Sequence, residues 1–339
     1  MPGESGGRPV LLVTSPNLQA LLEPWRGQLE VHADVVTVHH HEELERVREL
    51  GSRAEALLIF DWPAFLKGPE DFEALPRLLL IQCILAGVDG IPFSIIPSRI
   101  KVCSNAGGYS NSVAEHAWAL ILAAAKLVPA QHQALAAGRV DGIAQRAFVS
   151  SMKLLEWGIF GVIGLGGIGS RAAQIARAFG MRVYAITRSG TASFPCDFVG
   201  DPSSLDKVLK ESDVLLIAAP LTKHTRGLIG RRELALMKQD AILANVARGD
   251  IVDEEALYGH LKDHPAFTYV TDVFWYEGGR EELRPRYPFF GLPNFLATPH
   301  TSGPLALYKG SALKSAVENV LRYFRREPLR NLVRREDYV

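Results

Sequence analysis

The sequence lacks several features that mark special classes of protein. Its 339 residues carry 37 Lys and Arg against 37 Asp and Glu, so no net charge attracts nucleic acid or an anionic membrane. No apolar run reaches the ~20 residues that span a bilayer, and no apolar segment typical of a signal peptide begins the chain. These absences predict a cytoplasmic protein that binds neither nucleic acid nor a membrane.

Cysteine and metal-binding patterns are equally sparse. Cys83, Cys103 and Cys196 are an odd number without CxxC spacing, which indicates free thiols in a reducing compartment. The run His39–His41 is discounted as a metal site, because consecutive side chains on a strand alternate between its faces. The sequence therefore predicts no metal.

The chain is rich in hydrophobic residues, and short apolar runs alternate along it with amphipathic helical patterns. Hydrophobic residues make up 47% of a chain longer than the roughly 100–200 residues of one domain, which predicts two domains. Apolar runs alternate with helical patterns, as in parallel α/β proteins. The predicted strands are 10–14, 35–38, 56–60, 78–83 and 101–103, then six more at 159–163, 182–187, 214–218, 241–246, 267–273 and 295–297. The predicted helices are 42–50, 112–127 with a capping box Ser112-x-x-Glu115, 168–179, 231–237, 254–261 and 305–324.

A glycine-rich turn is the most specific local motif. Gly164-x-Gly166-x-x-Gly169 follows a predicted strand directly and opens a helical pattern, as dinucleotide-binding turns do. Gly164 allows the tight turn, Gly166 the approach of the pyrophosphate, and Gly169 close packing of helix on strand. The phosphates would lie against N–H groups at the helix N-terminus, around Gly167 and Ile168. The motif favours a dinucleotide site over an ordinary glycine-rich turn.

The end of the next predicted strand bears on which dinucleotide binds. NAD-selective sites normally place Asp or Glu about 20 residues after the glycine turn. This chain has Thr187, Arg188 and Ser189 there. A guanidinium can bind a 2′-phosphate, and no carboxylate repels it. The sequence therefore favours NADP(H) and leaves NAD(H) open, because Arg188 could instead be a solvated residue.

Four later segments carry polar residues at or shortly after the ends of predicted strands. They are Pro220-Leu-Thr222 continuing to Thr225, Asn245-x-x-Arg248-Gly249, Asp272-x-x-x-x-Glu277, and Thr298-Pro299-His300. In this order they resemble the D-isomer-specific 2-hydroxyacid dehydrogenase family, and with Arg188 the glyoxylate/hydroxypyruvate reductase type is nearest. The resemblance implies an α/β fold in which a Rossmann dinucleotide-binding domain is inserted into a smaller flavodoxin-like substrate domain.

The resemblance also implies a catalytic set of Arg248, Glu277 and His300. His300 would donate a proton to the keto oxygen of a small 2-oxo acid, glyoxylate or hydroxypyruvate, as hydride reaches the carbon. Glu277 would orient the imidazole, and Arg248 would hold the substrate carboxylate and polarise the keto oxygen. Singly, each residue is more simply a loop histidine, a solvated charge or a helix-end cation. Together they favour an NAD(P)-dependent oxidoreductase that forms D-2-hydroxy acids.

Further residues are implied to bind cofactor and substrate. Those of the cofactor cleft are Pro220, Thr225, Val246 and Ala247, with Asp272 at the nicotinamide carboxamide. Backbone N–H groups of Ala86 and Gly87 would bind the substrate carboxylate together with Arg248 and His300. Whether Asn105 and Tyr109 face the same cleft is left open.

The implied domains are not consecutive halves. Residues 1–115 and 303–339 would form the substrate domain, and 116–302 the NAD(P)-binding domain. The helix after Ser112 and the connection 140–153 would form a homodimer interface. Two departures, Gly278-Gly279 after Glu277 and the bulky Trp275-Tyr276 before it, put loop stiffness and substrate size in question.

The residues leave other functions open. One is a dinucleotide-sensing binding protein without turnover, since a fold does not fix a function. A second is a dehydrogenase of the D-3-phosphoglycerate or D-lactate type. A third is an enzyme of formate or phosphite, although the formate type has Gln where this chain has Glu277.

Overall fold

The chain folds into two α/β units, each built on a parallel sheet. The computed structural model describes residues 7–14, 16–38, 44–277 and 280–339, without the side chains of 16, 17, 44–46, 51, 276, 277, 280 and 308. The first unit comprises Met1–Tyr109 and Pro304–Val339, and the second comprises Ser110–Gly303. The sequence boundaries, 115/116 and 302/303, lie a few residues from these.

The first unit has a five-stranded sheet in the order β2-β1-β3-β4-β5. Its strands, numbered in chain order, are β1 (Val10–Val13), β2 (Asp34–Thr37), β3 (Ala54–Ile59), β4 (Leu80–Cys83) and β5 (Lys101–Cys103). Its helices are α1 (Pro16–Glu30), α2 (Leu44–Gly51), α10 (Pro304–Tyr308) and α11 (Ser311–Phe324). Leu12 and Ile81 pack in a core on one face of the sheet, and Leu11 and Leu80 in a core on the other. A sheet buried on both faces in this order is flavodoxin-like, as predicted.

The C-terminal helix is broken where the sequence predicted continuity over 305–324. The chain turns between α10 and α11 at Gly310, whose φ of +78° is left-handed. Glycine adopts that conformation at little cost, so it ends one helix and starts the next. Leu313 and Val317 of α11 then pack in the core of the first unit.

The second unit has a seven-stranded sheet in the order β14-β11-β10-β9-β6-β7-β8. Its strands are β6 (Ile159–Ile163), β7 (Arg182–Ile186), β8 (Phe198–Gly200), β9 (Val214–Ile217), β10 (Ile242–Asn245), β11 (Thr268–Thr271) and β14 (Phe295–Ala297), with a separate antiparallel pair of β12 (Tyr276–Glu277) and β13 (Arg280–Glu281). Its helices are α3 (Ser110–Ala125), α4 (Val128–Ala136), α5 (Gly142–Ser151), α6 (Gly167–Ala178), α7 (Leu205–Glu211), α8 (Arg231–Leu236) and α9 (Glu254–Asp263). The order from β8 to β11 is that of the dinucleotide-binding fold, which confirms the predicted fold class.

Two sequence predictions in this unit are wrong. The sheet has seven strands and not six, because β8 contains only two apolar residues, both half-buried, before it ends at Gly200. Helix α3 begins at Ser110, so Ser112 lies inside its first turn and does not cap it. The Ser112 hydroxyl instead donates to the carbonyl oxygen of Ser302.

Helix α3 is the most apolar helix of the second unit. Seven of its side chains are buried there, Trp118 and Ile121 among them. No single helix in the described ranges is long and apolar enough to cross a membrane. Helices α3 and α4 meet that criterion only as a pair, bent by 58°.

Candidate active site

The predicted polar residues gather at one edge of the seven-stranded sheet. Strands β10, β11 and β14 are neighbours in the sheet, and Arg248, Asp272 and His300 follow their carboxyl ends. Parallel strands bring their carboxyl ends to the same edge, where open α/β sheets bind ligands. The fold therefore places all three residues at the edge expected to carry a site.

A buried carboxylate shapes the turn that carries His300. Asp272 is fully buried, and Oδ1 accepts hydrogen bonds from the Thr298 hydroxyl at 2.5 Å and the Thr301 N–H at 3.0 Å. Its Oδ2 accepts the Ser302 N–H at 2.9 Å. The turn so formed holds His300 at a left-handed φ of +53°, which costs a non-glycine residue about 1–2 kcal/mol. Such strain persists where surrounding contacts enforce it, as the three bonds to Asp272 do here.

The carboxylate that reaches His300 belongs to Glu281. Its Oε2 forms a hydrogen bond with Nδ1 of His300, and its Oε1 accepts the N–H of Phe274 at 2.6 Å. The Glu281 side chain is 14% exposed and that of His300 36% exposed, so the pair is shielded while the ring remains accessible. A carboxylate on Nδ1 fixes the ring and directs Nε2 toward another proton partner.

The turn that carries Arg248 packs against the segment that holds Glu281. The Asn245 side-chain amide donates to the Arg248 carbonyl oxygen at 2.9 Å and so fixes the backbone of that turn. A Cβ on Gly249 would lie 2.2 Å from the carbonyl of Phe274. Only glycine permits this approach, so the arginine turn lies directly on the residue whose N–H binds Glu281.

Trp275 attaches the segment between Asp272 and Glu281 to the core of the second unit. Its indole N–H donates to the Val252 carbonyl oxygen at 2.7 Å, and its ring stacks on Phe289 with centroids 5.3 Å apart. The side chain is buried in the core of the second unit. The bulk that distinguishes this position therefore has a packing role in the unit.

The glycine turn lies between β6 and α6, as predicted. Gly164 has a φ of +94°, and a Cβ there would lie 2.7 Å from the backbone of Ala219. A Cβ on Gly169 would lie 2.1 Å from the carbonyl oxygen of Gly164, whereas the space around Gly166 is open. Gly166 and Gly167 are exposed at the start of α6. An exposed helix N-terminus without side chains fits a dinucleotide pyrophosphate.

The segment after β7 is closed by hydrogen bonds between its own residues. The Thr187 hydroxyl donates to the Thr191 carbonyl oxygen at 3.0 Å, and the Ser189 hydroxyl lies 2.8 Å from the Thr191 hydroxyl. The side chains of Arg188 and Ser189 are exposed. Since β7 lies beside β6 in the sheet, this segment lies next to the glycine turn.

The other predicted cofactor residues follow the carboxyl ends of β9 and β10. The Thr225 hydroxyl donates to the Pro220 carbonyl oxygen at 2.7 Å and accepts the Thr222 N–H at 2.8 Å, so it shapes the loop after β9. Val246 and Ala247 come directly after β10. Together with the glycine turn after β6, these loops follow the carboxyl ends of three adjacent strands, β10, β9 and β6.

Comparison with known proteins identifies the family. Residues 118–302 match the family model described as D-isomer specific 2-hydroxyacid dehydrogenase, NAD binding domain. The chain belongs to this family. It is similar to a glyoxylate reductase of Aeropyrum pernix, 34% identical over 265 residues that cover 77% of this chain and 78% of the relative. A hydroxypyruvate reductase of Thermotoga maritima is 34% identical over 236 residues, 69% of this chain and 74% of that protein.

A solved structure supports the fold. The D-isomer specific 2-hydroxyacid dehydrogenase from Xanthobacter autotrophicus Py2, in complex with NADPH and MES, superposes with a TM-score of 0.75. The match is 24% identical in sequence and covers 98% of this chain and 100% of that chain. This match supports the fold, whereas the family model and the two relatives confirm the predicted family and the prediction of an oxidoreductase.

Sequence reasoning missed Glu281 in this dehydrogenase. The side chain of Glu277, the predicted partner of His300, lies outside the described part of the structure. In the β12–β13 pair, Tyr276 is opposite Glu281 and Glu277 is opposite Arg280. The departure Gly278-Gly279 was the available signal, because a Gly-Gly pair predicts a two-residue hairpin that folds the following residues back.

The predicted substrate loop of the first unit is held by two buried side chains. The Ile84 carbonyl oxygen accepts both the Asn105 amide at 2.8 Å and the Tyr109 hydroxyl at 2.9 Å. Burial raises the pKa of Tyr109 to about 12, so the hydroxyl stays a neutral donor. Asn105 and Tyr109 thus support the base of the loop that continues to Ala86 and Gly87.

Metal and thiol chemistry find no support in the described ranges. The histidines 39–41 lie outside those ranges, and within them no cluster of three or more His, Cys, Asp or Glu could hold a metal ion. Burial raises the pKa of the Cys83 thiol, and that of Cys103 to about 11. Both thiols therefore stay protonated at neutral pH and serve as core residues.

Proposed function

We propose that this dehydrogenase reduces small 2-oxo acids of the glyoxylate and hydroxypyruvate class to D-2-hydroxy acids, with a nicotinamide dinucleotide as reductant. The contact between His300 and Glu281 is the observation that carries the proposal. It supplies a proton donor at the carboxyl edge of a dinucleotide-type sheet. The names of the Aeropyrum and Thermotoga relatives support the substrate class.

In the proposed reaction, His300 is the acid and Glu281, in place of Glu277, is the carboxylate that orients it. The bound dinucleotide supplies hydride to the keto carbon. Nε2 of His300 gives its proton to the keto oxygen, while the proton on Nδ1 stays directed toward Glu281. The negative charge of Glu281 stabilises the imidazolium before transfer. In the reverse direction, Nε2 takes the proton from the hydroxyl.

Arg248 is proposed to bind the substrate. Its guanidinium is always charged and planar, so it can pair with a carboxylate and polarise the neighbouring keto oxygen. In the first unit, the N–H groups of Ala86 and Gly87 are proposed to bind a substrate carboxylate. Among the described contacts these two N–H groups have no intramolecular acceptor, which leaves them available to a ligand.

The glycine turn is proposed to hold the pyrophosphate, and Arg188 with Ser189 the 2′-phosphate of NADP(H). Their exposure beside the turn and the lack of Asp or Glu in 187–191 support NADP(H) over NAD(H). Asp272 is proposed to bind the nicotinamide carboxamide through the acceptor position that its three hydrogen bonds to the turn leave unused. Arg188→Ala should raise the KM for NADPH about tenfold and leave that for NADH nearly unchanged.

The domains keep their proposed roles, with residues 1–115 and 303–339 binding substrate and 116–302 binding the dinucleotide. We also propose a homodimer through α3, α4 and α5. Helices α4 and α5 bury no residue within their unit, and Leu135, Ile143 and Val149 are more than 60% exposed. Exposed apolar patches of this kind mark interfaces, here with a second copy. We propose a cytoplasmic location, which the free Cys83, Cys103 and Cys196 support because disulfides are rare in reducing compartments.

The direct test is turnover by the purified chain. With glyoxylate or hydroxypyruvate it should oxidise NADPH, and His300→Ala should lower kcat about 1000-fold. Arg248→Ala should lower kcat/KM at least about 100-fold. His32→Ala, at a half-exposed position after α1, is the matched control and should retain activity. Full activity of His300→Ala or Arg248→Ala would overturn the assignment. Stabilisation by NADPH without turnover on any 2-oxo acid would show a binding protein instead.

A further inference from the structure

Helix α3 contacts the turn that carries His300 at both of its ends, Thr298 and Ser302. The Ser112 hydroxyl donates to the carbonyl oxygen of Ser302, and Nε2 of His116 lies 2.7 Å from Oγ1 of Thr298. Residues four positions apart on a helix lie on the same face, so both side chains face the turn. Neither residue belongs to the proposed catalytic or cofactor-binding set, which leaves their contacts with the turn to be explained.

The direction of the hydrogen bonds around Thr298 is fixed by its single hydrogen. That hydrogen goes to Oδ1 of Asp272 at 2.5 Å, so toward His116 the hydroxyl can only accept. Nε2 of His116 must therefore carry a hydrogen and donate it. Nε2 also lies 3.5 Å from the same Asp272 oxygen, so any positive charge on the ring is attracted to that buried carboxylate.

The bonds form a chain that runs from His116 through Thr298 to Asp272. Hydrogen bonds aligned in one direction polarise and strengthen one another. The N–H groups of Thr301 and Ser302 bind Asp272 and secure the far end of the turn, where the Ser112 hydroxyl adds a bond to the Ser302 carbonyl oxygen. The end of the turn at Thr298 depends on the orientation of the Thr298 hydroxyl. His116, which donates a hydrogen bond to that hydroxyl, controls this orientation.

We propose that His116 is a positioning residue for His300, an inference that rests on the proposed function. When His116 cannot donate, the Thr298 hydroxyl loses the contact that keeps its hydrogen aimed at Asp272. The near end of the turn then loosens, and the left-handed backbone of His300 is held less firmly. Because Nε2 of His300 must meet the keto oxygen, small displacements of the ring reduce the rate of proton transfer.

Two substitutions separate the hydrogen bond from the bulk of the ring. His116→Leu fills a similar volume without a donor, whereas His116→Gln places an amide N–H near the position of Nε2. His116→Leu should lower kcat for hydroxypyruvate about tenfold and leave the KM for NADPH within about twofold. His116→Gln should recover most of that loss. His32→Leu, the same exchange outside the second unit, should leave kcat unchanged.

A double-mutant cycle tests the route through Thr298. If both residues act through one contact, His116→Leu combined with Thr298→Val should lower kcat no further than the worse single variant. Wild-type kcat in His116→Leu would overturn the proposal. So would a His116→Gln variant as slow as His116→Leu, or losses that multiply in the double variant.

Histidine-selective ¹⁵N NMR of the protein without ligands reads the geometry independently of turnover. The ring signals of His300 should shift in His116→Leu and stay in place in His116→Gln and His32→Leu. If the wild type has no turnover but these shifts occur, the proposed function fails and the positioning role stands. If His300 is unaffected in His116→Leu, the positioning role fails whatever the kinetics show.

Discussion

Two buried polar side chains, Asp272 and Asn294, lie at opposite edges of the seven-stranded sheet and bind their surroundings in opposite ways. Asn294, before the amino end of β14, donates its amide to three carbonyl oxygens, those of Leu261 at 3.0 Å, His264 at 3.2 Å and Phe267 at 2.8 Å. Asp272, after the carboxyl end of β11, accepts one hydroxyl and two N–H groups. Both satisfy three partners, so burial and hydrogen bonding alone do not distinguish a structural residue from one near a site.

The two arrangements differ in whether a polar group remains available to a ligand. At the amino edge, the Asn294 amide binds carbonyl oxygens from the end of α9 to the residue before β11, and so closes that connection. At the carboxyl edge, Asp272 holds a strained turn whose residue His300 binds Glu281 through Nδ1 and stays 36% exposed. Asn105 in the first unit resembles Asn294, since its amide also binds two carbonyl oxygens, of Ile84 and Ala312. Charge and strain together, rather than burial, distinguish the edge that carries the proposed site.

Of the substitutions that test this difference between the two edges, Asp272→Asn should have the largest effect. The amide nitrogen would face a backbone N–H of the turn and leave it buried without an acceptor, at a cost of about 1–3 kcal/mol. The turn should release His300, and kcat should fall about 100-fold. Steady-state kinetics with a urea unfolding curve would check both effects. A variant with wild-type kcat would show that Asp272 and Asn294 are equivalent structural residues.

Asn294→Leu should give the complementary result. Leucine has a similar volume but no donor, so the carbonyl oxygens of Leu261 and Phe267 lose the amide, while that of His264 keeps the Phe267 N–H. The free energy of unfolding should fall by about 2–3 kcal/mol. Well below the unfolding temperature, kcat should stay within about twofold of the wild type. Urea unfolding and kinetics on the same preparation provide the measurement. A large loss of kcat without loss of stability would contradict the structural role of the amino edge.

Protonation of His260, also near the amino edge, is expected to have a smaller effect on the free energy of unfolding. Burial and the neighbouring His264, whose ring stacks 4.1 Å away, lower the pKa of His260 to about 4. In the unfolded chain its pKa is about 6.5. The unfolded state therefore binds the proton first, and stability falls as the pH drops from about 6.5 toward 4. Because the ring is only half-buried, the loss should be about 1–2 kcal/mol.

Urea midpoints at several pH values would measure this dependence. His260→Gln should flatten the decline below pH ~6.5, since it removes the titrating group. His132→Gln, at an exposed position, should leave the decline unchanged. An equal slope in the wild type and His260→Gln would show that His260 does not carry the effect.

The sequence allowed prediction of those parts of the site that depend on local order along the chain. The glycine turn, Arg248 and His300 each follow an apolar strand directly, and parallel strands must bring their carboxyl ends together. The partner of His300 could not be found this way, because spacing from Asp272 favours Glu277 and only the hairpin brings Glu281 back. The role of Asp272 depends on the approach of the turn after β14 to the end of β11, and the contact of His116 with Thr298 depends on the packing of α3 against that turn. No local pattern records such contacts.

The identity of the carboxylate on His300 tests the account most directly. Glu281→Gln and Glu277→Gln should be compared side by side for NADPH oxidation with hydroxypyruvate. Glutamine keeps the shape but loses the charge that stabilises the imidazolium, so Glu281→Gln should lower kcat at least about 100-fold. Glu277→Gln should lower it by no more than about threefold. A large loss in Glu277→Gln with near-normal turnover in Glu281→Gln would contradict the account.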